Sequence, residues 1–567
     1  MRASRTNLVS AFLVSAMFVT FFGCNMKKKD TSDSEGISTI IYEEEVESTI
    51  QAKPESHMQY SHKESRRMTT PENMVETEDM AIISGDEDLS QAIEYVPQVT
   101  GEEYNPIREN VFQFVAKAPL STFSIDVDAA SYSNLRRYIN QGQLPPASAI
   151  RTEELINYFS YDYGKPEGKE PVKISAEVGT CPWNEKHRLV RIGLKAKEIA
   201  DEKLPASNLV FLIDVSGSME GHNRLDLVKS SLKLLVNNLR RKDRVAIVVY
   251  AGSAGEVLPS TSGNNKQKIR EALDHLFAGG STAGGAGIQL AYKIAKKNFI
   301  KGGNNRIILC TDGDFNVGVS SKDGLEKLIE KERQSGVFLT VLGYGMGNYK
   351  DNRMQVLAEK GNGNHAYIDN LQEANKILVS EFGGTVYTVA KDVKLQVEFN
   401  PAYAQAYRLI GYESRVLRDE DFNDDTKDAG EMGAGHTVTA LYEVVPVGVK
   451  FESGGNVDPL KYQTPESRHS SGSKELLTVK MRYKLPDEDV SSKIELPLID
   501  DKSGNVSEDF YFASAVAMFG QVVRKSQYKG DGTYDKVIIL AEKSFGEDEQ
   551  GYRREFVRLV ETVKGMN

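Results

Sequence analysis

The apolar residues of this chain change period twice, and the changes divide it. VKISAEVGT (172–180) and HRLVRIGLKAK (187–197) alternate apolar and polar positions with period two, as half-buried antiparallel strands do. From Asn208 the run NLVFLID is continuously apolar, the pattern of a strand covered on both faces. Leu225, Val228, Leu232, Leu235 and Leu239 then recur at helical spacing. RVAIVVY (244–250), RIILC (306–310), VFLTVLGYG (337–345) and HAYID (365–369) read as further strands. IREALDHLF (269–277), AGIQLAYKIAKKN (286–298) and the stretches 322–335, 351–360 and 371–383 read as helices. Such alternation predicts a mostly parallel, doubly wound sheet.

After Gly383 period two returns, in VKLQVEFN (393–400), HTVTALYEVVP (436–446), ELLTVKMRYKL (475–485) and KIELPLI (493–499). Strands of one character therefore flank the α/β block on both sides. The economical arrangement is one β-sandwich-like body with the α/β domain inserted in it. STFSIDVD (121–128) reads as a further strand of that body, and SYSNLRRYINQG (131–142) and RTEELINYFSYDY (151–163) as helices. The chain ends in three helical stretches, 509–526, 534–543 and 552–565.

The N-terminus carries a different signal. Arg2 and Arg5 precede LVSAFLVSAMFVTFFG (8–23), a short apolar core closed by a small residue, and Cys24 follows. The run is too short for an ordinary membrane span and fits a secretory signal. Residues 25–105 are polar and charged, and such a stretch buries too little apolar surface to offset its ordering entropy. The expected division is a signal peptide 1–24, a disordered acidic tether 25–105, a β-rich segment with helices 106–200, the α/β domain 205–384, a second β-rich segment 385–505 and a helical region 506–567.

Composition narrows the chemistry. The 567 residues carry a net charge of −11, which argues against nonspecific nucleic-acid binding and leaves carboxylates for a divalent cation. The eight histidines are scattered, without the spacing of a helical zinc site. Besides Cys24 there are two cysteines, and Cys310, ending an apolar run, reads as a small buried side chain.

The stretch FLIDVSGSME (211–220) brings Asp214 to the end of the first α/β strand and follows it with Ser216 and Ser218. In an open parallel sheet, ligands bind beyond the carboxyl ends of the strands. Two more loops reach that edge: AGGSTAGGAG (278–287), with Thr282, and TDGDFNVG (311–318), with Asp312. Two carboxylates and three hydroxyls form an all-oxygen set, suited to Mg²⁺, Mn²⁺ or Ca²⁺ and not to zinc or copper. With few carboxylates, the ion stays electrophilic and seeks an anionic oxygen from outside. Asp314 reads as a residue that orients the loop, and DVDAAS (126–131) as helix capping. The acidic FNDDTKD (422–428) reads as a solvated loop without the spacing of a calcium loop. A phosphatase would need an aspartate at position 216, which is Ser, and no Ser-His-Asp arrangement surrounds His222. A binding module is therefore expected, with a metal-dependent hydrolase or phosphatase of α/β fold as the alternative.

Asp214-x-Ser216-x-Ser218, Thr282 in a glycine-rich loop and Asp312 in TDG resemble the metal-ion-dependent adhesion site of von Willebrand factor type A domains. STFSIDVDAASYSNLRRYINQGQLPP, TDGDFNVG and FNDDTKDAGEMGAGHTVTALYEVVP are similar to stretches of the bacterial YfbK-like family. The resemblance implies that the serines and Thr282 approach one divalent ion, Mg²⁺ above all. The aspartates would bind it directly or through water, and an acidic residue of a protein partner would complete the shell. It also implies that the last helix, 371–383, shifts with the ion. Gly23-Cys24 resembles the lipobox of bacterial lipoproteins, though Phe21 and Phe22 are bulkier than its usual residues. That resemblance implies a lipidated Cys24 and a chain anchored to a membrane of the cell envelope, facing the periplasm or the surface. The expected role is metal-dependent protein binding, as an adhesion or assembly scaffold, without catalysis.

Overall fold

The computed structural model describes residues 101–566 except 201, 282–283, 314–321, 348, 383–386 and 452–471. The signal peptide, Cys24, nearly all of the tether, Thr282 and Asp314 lie outside the described residues. In chain order, the strands before the α/β domain are β1 (Gln113–Phe114), β2 (Leu120–Ser124), β3 (Val172–Thr180) and β4 (Arg188–Ala196). Those within it are β5 (Ser207–Asp214), β6 (Arg244–Tyr250), β7 (Ala254–Ser262), β8 (Asn304–Thr311), β9 (Phe338–Gly343) and β10 (His365–Tyr367). After it come β11 (Thr388–Phe399), β12 (Ala404–Ile410), β13 (Val416–Leu417), β14 (Gly430–Gly433), β15 (Thr437–Pro446), β16 (Leu477–Lys484) and β17 (Ser492–Leu498).

The continuous apolar runs become the middle of the central sheet, where every residue of β5 and β8 is buried. The strand order is β10-β9-β8-β5-β6-β7. All pairs are parallel except β6 with β7. The period pattern of the sequence does not reveal β7: it is an edge strand that carries Pro259, a residue an edge tolerates because it owes no ladder hydrogen bond there. Helices cover both faces. Leu225–Asn238 lays Val228, Leu232 and Leu235 into the core on one side, and Gly284–Lys297 lays Ile288, Ala291 and Ala295 on the other.

The alternating segments pair across the insertion. β4 runs antiparallel along β15, with Leu194 opposite Val438 and Val190 opposite Tyr442, and β2 runs along β11, with Phe123 opposite Leu395. The resulting sheets, β1-β12-β15-β4-β3 and β13-β2-β11-β16-β17, enclose one core. Ile192, Leu194 and Ala440 meet Phe123, Leu395, Val397 and Met481 there. Each fully buried aliphatic side chain contributes about 1.5–3 kcal/mol relative to exposure. The α/β domain is thus inserted in a β-sandwich-like body, between β4 and β11.

A helical layer completes the molecule. Helices Glu508–Val523, Tyr534–Glu542 and Tyr552–Met566 pack with Ala130–Asn140 and Thr152–Asn157 around Leu135, Phe159, Phe512 and Phe556. Ser507 and Thr533 start two of these helices by accepting the backbone N–H three residues on, as N-cap hydroxyls do.

Three expectations are corrected here. The helix read over 151–163 ends at Asn157, because Tyr158, Phe159, Tyr161 and Tyr163 are all buried, and their packing overrides local propensity. Tyr158 stacks on Tyr132 with ring centroids 3.8 Å apart, and Phe159 meets Phe512 edge-on. The aspartates of DVDAAS cap no helix: Ala129 is the N-cap and makes no side-chain cap bond. Asp128 instead accepts the His365 backbone N–H at 2.9 Å, tying the body to β10, while the Ser131 N–H is satisfied by Glu154. The last helix of the α/β domain, read over 371–383, runs unbroken from Leu371 to Ser380 but is not α-helical throughout, and residue 383 lies outside the described residues. Leu371–Asn375 is α-helical and Lys376–Ser380 widens to a π-helix.

Candidate metal centre

The order of the central sheet creates the site. From β5 the chain proceeds outward through β6 and β7, and from β8 outward the other way through β9 and β10. The connections therefore leave β5 and β8 in opposite directions and open a crevice beyond their carboxyl ends. Asp214 is the last residue of β5, and Asp312 follows the last residue of β8. Both are buried, at 0% and 2% exposure, which is unusual for carboxylates and calls for compensation.

Local geometry builds the rest. After Asp214 the chain turns through Gly217–Met219, and Met219 plugs into the core beneath. The turn lets the Ser216 backbone N–H donate to Asp214 Oδ1 at 2.9 Å and sets the Ser216 and Ser218 hydroxyls 3.1 Å apart. Thr311 donates its hydroxyl to Asp214 Oδ2 at 3.2 Å and accepts the Gly313 N–H at 3.1 Å. Gly313 has φ +91°, and a Cβ there would lie 2.7 Å from the Lys350 nitrogen, so the Asp312 loop needs glycine at that position. The glycine-rich loop is docked on the serine turn, since Gly217 N–H donates to the Gly280 carbonyl at 3.0 Å and Gly279 N–H to that of Val215 at 2.8 Å. Gly280, at φ +86°, supplies the left-handed bend.

The structure therefore brings together Asp214, Ser216, Ser218 and Asp312, and seats the loop that carries Thr282, which itself lies outside the described residues. The sequence reading missed Thr311, whose hydroxyl holds both Asp214 and the Asp312 loop. A threonine ending a buried strand looks like ordinary β-branched filling, and no motif marks it.

Electrostatics favour a cation. Burial pushes the Asp214 carboxyl up to about 6, the hydrogen bonds from Ser216 work against this, and the nearby Asp312 carboxylate adds to it. Among the described residues Asp214 has no basic partner within ion-pair distance. Nor do three or more His, Cys, Asp or Glu side chains gather anywhere among them as a metal cluster. A hard divalent ion held by the two serine hydroxyls and the carboxylates, directly or through water, fits this donor set. Cys181 and Cys310 are both free and buried and play no part. His222 is exposed and paired with Asp226.

The fold and this edge define a class: residues 208–380 match the family model of the von Willebrand factor type A domain, and the protein is built around one. A second model, described as von Willebrand factor, matches residues 98–191, and one described as uncharacterized protein YfbK, C-terminal, matches 384–566. The chain is 47% identical over 472 residues to the uncharacterized protein YfbK of Escherichia coli (strain K12), covering 82% of this chain and 81% of that one. It belongs to the YfbK family. The uncharacterized protein sll0103 of Synechocystis is 31% identical over 191 residues, 33% of this chain and 43% of its own. Among solved structures, a von Willebrand factor type A protein from Catenulispora acidiphila aligns over 80% of this chain and 91% of its own, at 15% identity and TM-score 0.36.

Proposed function

We propose that the α/β domain holds one divalent cation, Mg²⁺ first among the candidates with Mn²⁺ and Ca²⁺ behind it, and uses it to bind a protein partner. Ser216, Ser218 and Thr282 would ligate the ion, with Asp214 and Asp312 direct or through water. The observation that carries this reading is the convergence of Asp214, Ser216, Ser218 and Asp312 at the switch of strand order, with Asp214 buried and without a basic partner. An ion held mainly by neutral hydroxyls keeps net positive charge. A carboxylate of the partner would displace its outer water and form a charge-assisted contact that an amide replaces poorly. The partner is therefore a protein presenting Asp or Glu, and not nucleic acid.

In the same reading the chain is an envelope component, tethered to a membrane through lipidated Cys24 and facing the periplasm or the cell surface, where it serves as an adhesion or assembly scaffold. Several acyl chains on one cysteine would anchor it firmly, whereas a single chain binds only marginally. Among the described residues no helix is long and apolar enough to cross a membrane.

The test is a pull-down from detergent-solubilised envelope with magnesium or chelator, set beside calorimetry of the metal alone. Metal binding that Asp214→Ala abolishes in a folded protein, and a partner retained only with magnesium, support the proposal. Chelator-insensitive capture, or unchanged capture by Ser216→Ala with Thr282→Ala, would place recognition on the β-rich body instead.

A further inference from the structure

A second feature lies away from the metal edge. A cavity of about 480 Å³ opens between one face of the central sheet, the Lys376–Ser380 turn and the β-rich body. That volume suits a small organic molecule. Arg306 and Thr340 bring polar groups from the sheet, while Phe159, Ile308, Leu342 and Ile377 supply apolar wall. Arg306 is the third residue of β8, whereas Asp312 lies beyond the strand's carboxyl end, about 20 Å away at the rise of an extended strand.

The other charged groups that line the cavity have partners of opposite sign. Asp128 shares Arg415 with Asp126 and Glu359, Lys195 faces Glu198 at 3.6 Å, and Lys376 pairs with Glu381. Burial holds His365 and His436 below the usual histidine range, so they stay uncharged near neutrality. Arg306 is only 3% exposed. Its Nη1 donates to Thr340 Oγ1 at 2.6 Å, its guanidinium lies over the Phe338 ring at 5.7 Å, and its Nε has no hydrogen-bond partner. Among the described residues no carboxylate reaches it within ion-pair distance. Glu431 acts on it only from farther away, and burial pulls the guanidinium down to about 10. A buried cation left this way is costly unless an anion joins it.

We propose that this cavity binds a small molecule with an apolar body and one carboxylate, which the Arg306 guanidinium holds. Among the described residues Arg306 is the one lining cation without a carboxylate at ion-pair distance, and one guanidinium fits a monoanion better than a doubly charged phosphate. With Nη1 turned to Thr340, the Nε–H of the guanidinium keeps no partner, and a carboxylate is the acceptor that suits such a donor. The apolar walls account for the body of the molecule.

The test titrates the full chain with octanoate and with octanamide, its uncharged counterpart, by calorimetry. One octanoate per chain is expected, with octanamide about tenfold weaker, the loss of one charged hydrogen-bonded contact. Arg306→Gln should lower octanoate to the level of octanamide, with an unchanged circular dichroism spectrum. Should that variant fail to fold, Ala366→Leu narrows the cavity and leaves the guanidinium in place. Loss of octanoate binding there supports the proposal, and retained affinity overturns it. No octanoate binding at millimolar concentration, equal affinity for the two probes, or full octanoate affinity in folded Arg306→Gln would each overturn it as well.

Discussion

Two buried carboxyl groups, those of Asp214 and Glu153, show how differently one chemical group can be placed. At Asp214 the folded protein tolerates a desolvated carboxylate beside a second one, a cost that a bound cation would relieve. Asp214→Asn keeps an acceptor for the Ser216 N–H and removes the charge. It should therefore match or exceed the parent in melting temperature in chelator and lose the rise that magnesium gives the parent; thermal scans with and without the ion check this. Glu153 is a different case. It is 4% exposed, its Oε2 has no hydrogen-bond partner, and burial together with the Glu413 charge pushes it up to about 8 from 4.5. The folded state thus keeps a proton that the unfolded chain releases. The stability this adds is complete below about pH 4.5 and lost as pH rises through about 8. Glu153→Gln should accordingly gain on the parent by about 1–3 kcal/mol between acid and mildly alkaline solution. Urea unfolding at about pH 5 and pH 9 measures the gap, and a constant gap would refute the assignment.

At the scale of elements, the helix Ala130–Asn140 clamps the body to the α/β domain through Arg136, which is fully buried. Its guanidinium meets Asp369 at 2.5 Å, Glu373 at 2.7 Å and Glu555 at 3.1 Å, joining the start of the last α/β helix to the C-terminal helix of the chain. Arg151 does the same for Asp351, at 2.7 Å. Removing one partner of such a set leaves uncompensated charge in the interior. Arg136→Met is therefore expected to cost about 3–5 kcal/mol, read by denaturant unfolding. Arg136→Lys should restore only part of this, because an ammonium cannot reproduce the planar fork that engages three carboxylates. A loss below about 1 kcal/mol would mean that the contacts are dispensable.

For the whole molecule the insertion has a consequence. β11 lies between β2 and β16, and β15 lies between β12 and β4, so each C-terminal sheet is completed by a strand from before the α/β domain. A fragment of residues 385–567 would leave Leu395, Val397, Val438 and Ala440 without the Phe123, Ile192 and Leu194 side chains that share their core. It is expected to lack a cooperative unfolding transition, and co-expression with residues 101–200 to restore one. Cooperative unfolding of the fragment alone would show that its own strands suffice. At the other end of the chain, Cys24→Ser should move the protein from membrane to soluble fractions, and unchanged fractionation would rule out the lipid anchor.

Periodicity alone separated the α/β block from the alternating segments around it, because a strand buried on both faces and one buried on a single face need different residues. That Asp214, Ser216, Ser218 and Asp312 share one sheet edge was legible because in a parallel sheet the loops that follow neighbouring strands meet at their carboxyl ends. Edge strand β7 was not legible, since an edge relaxes the demand for a pattern. The early end of the helix at Asn157 was hidden because four aromatic side chains find partners from distant segments. Arg136, Arg151, Thr311 and Arg306 look like ordinary charged or β-branched residues in the chain. Their roles come from what the fold sets beside them, across as many as several hundred positions, and short-range spacing holds no record of that.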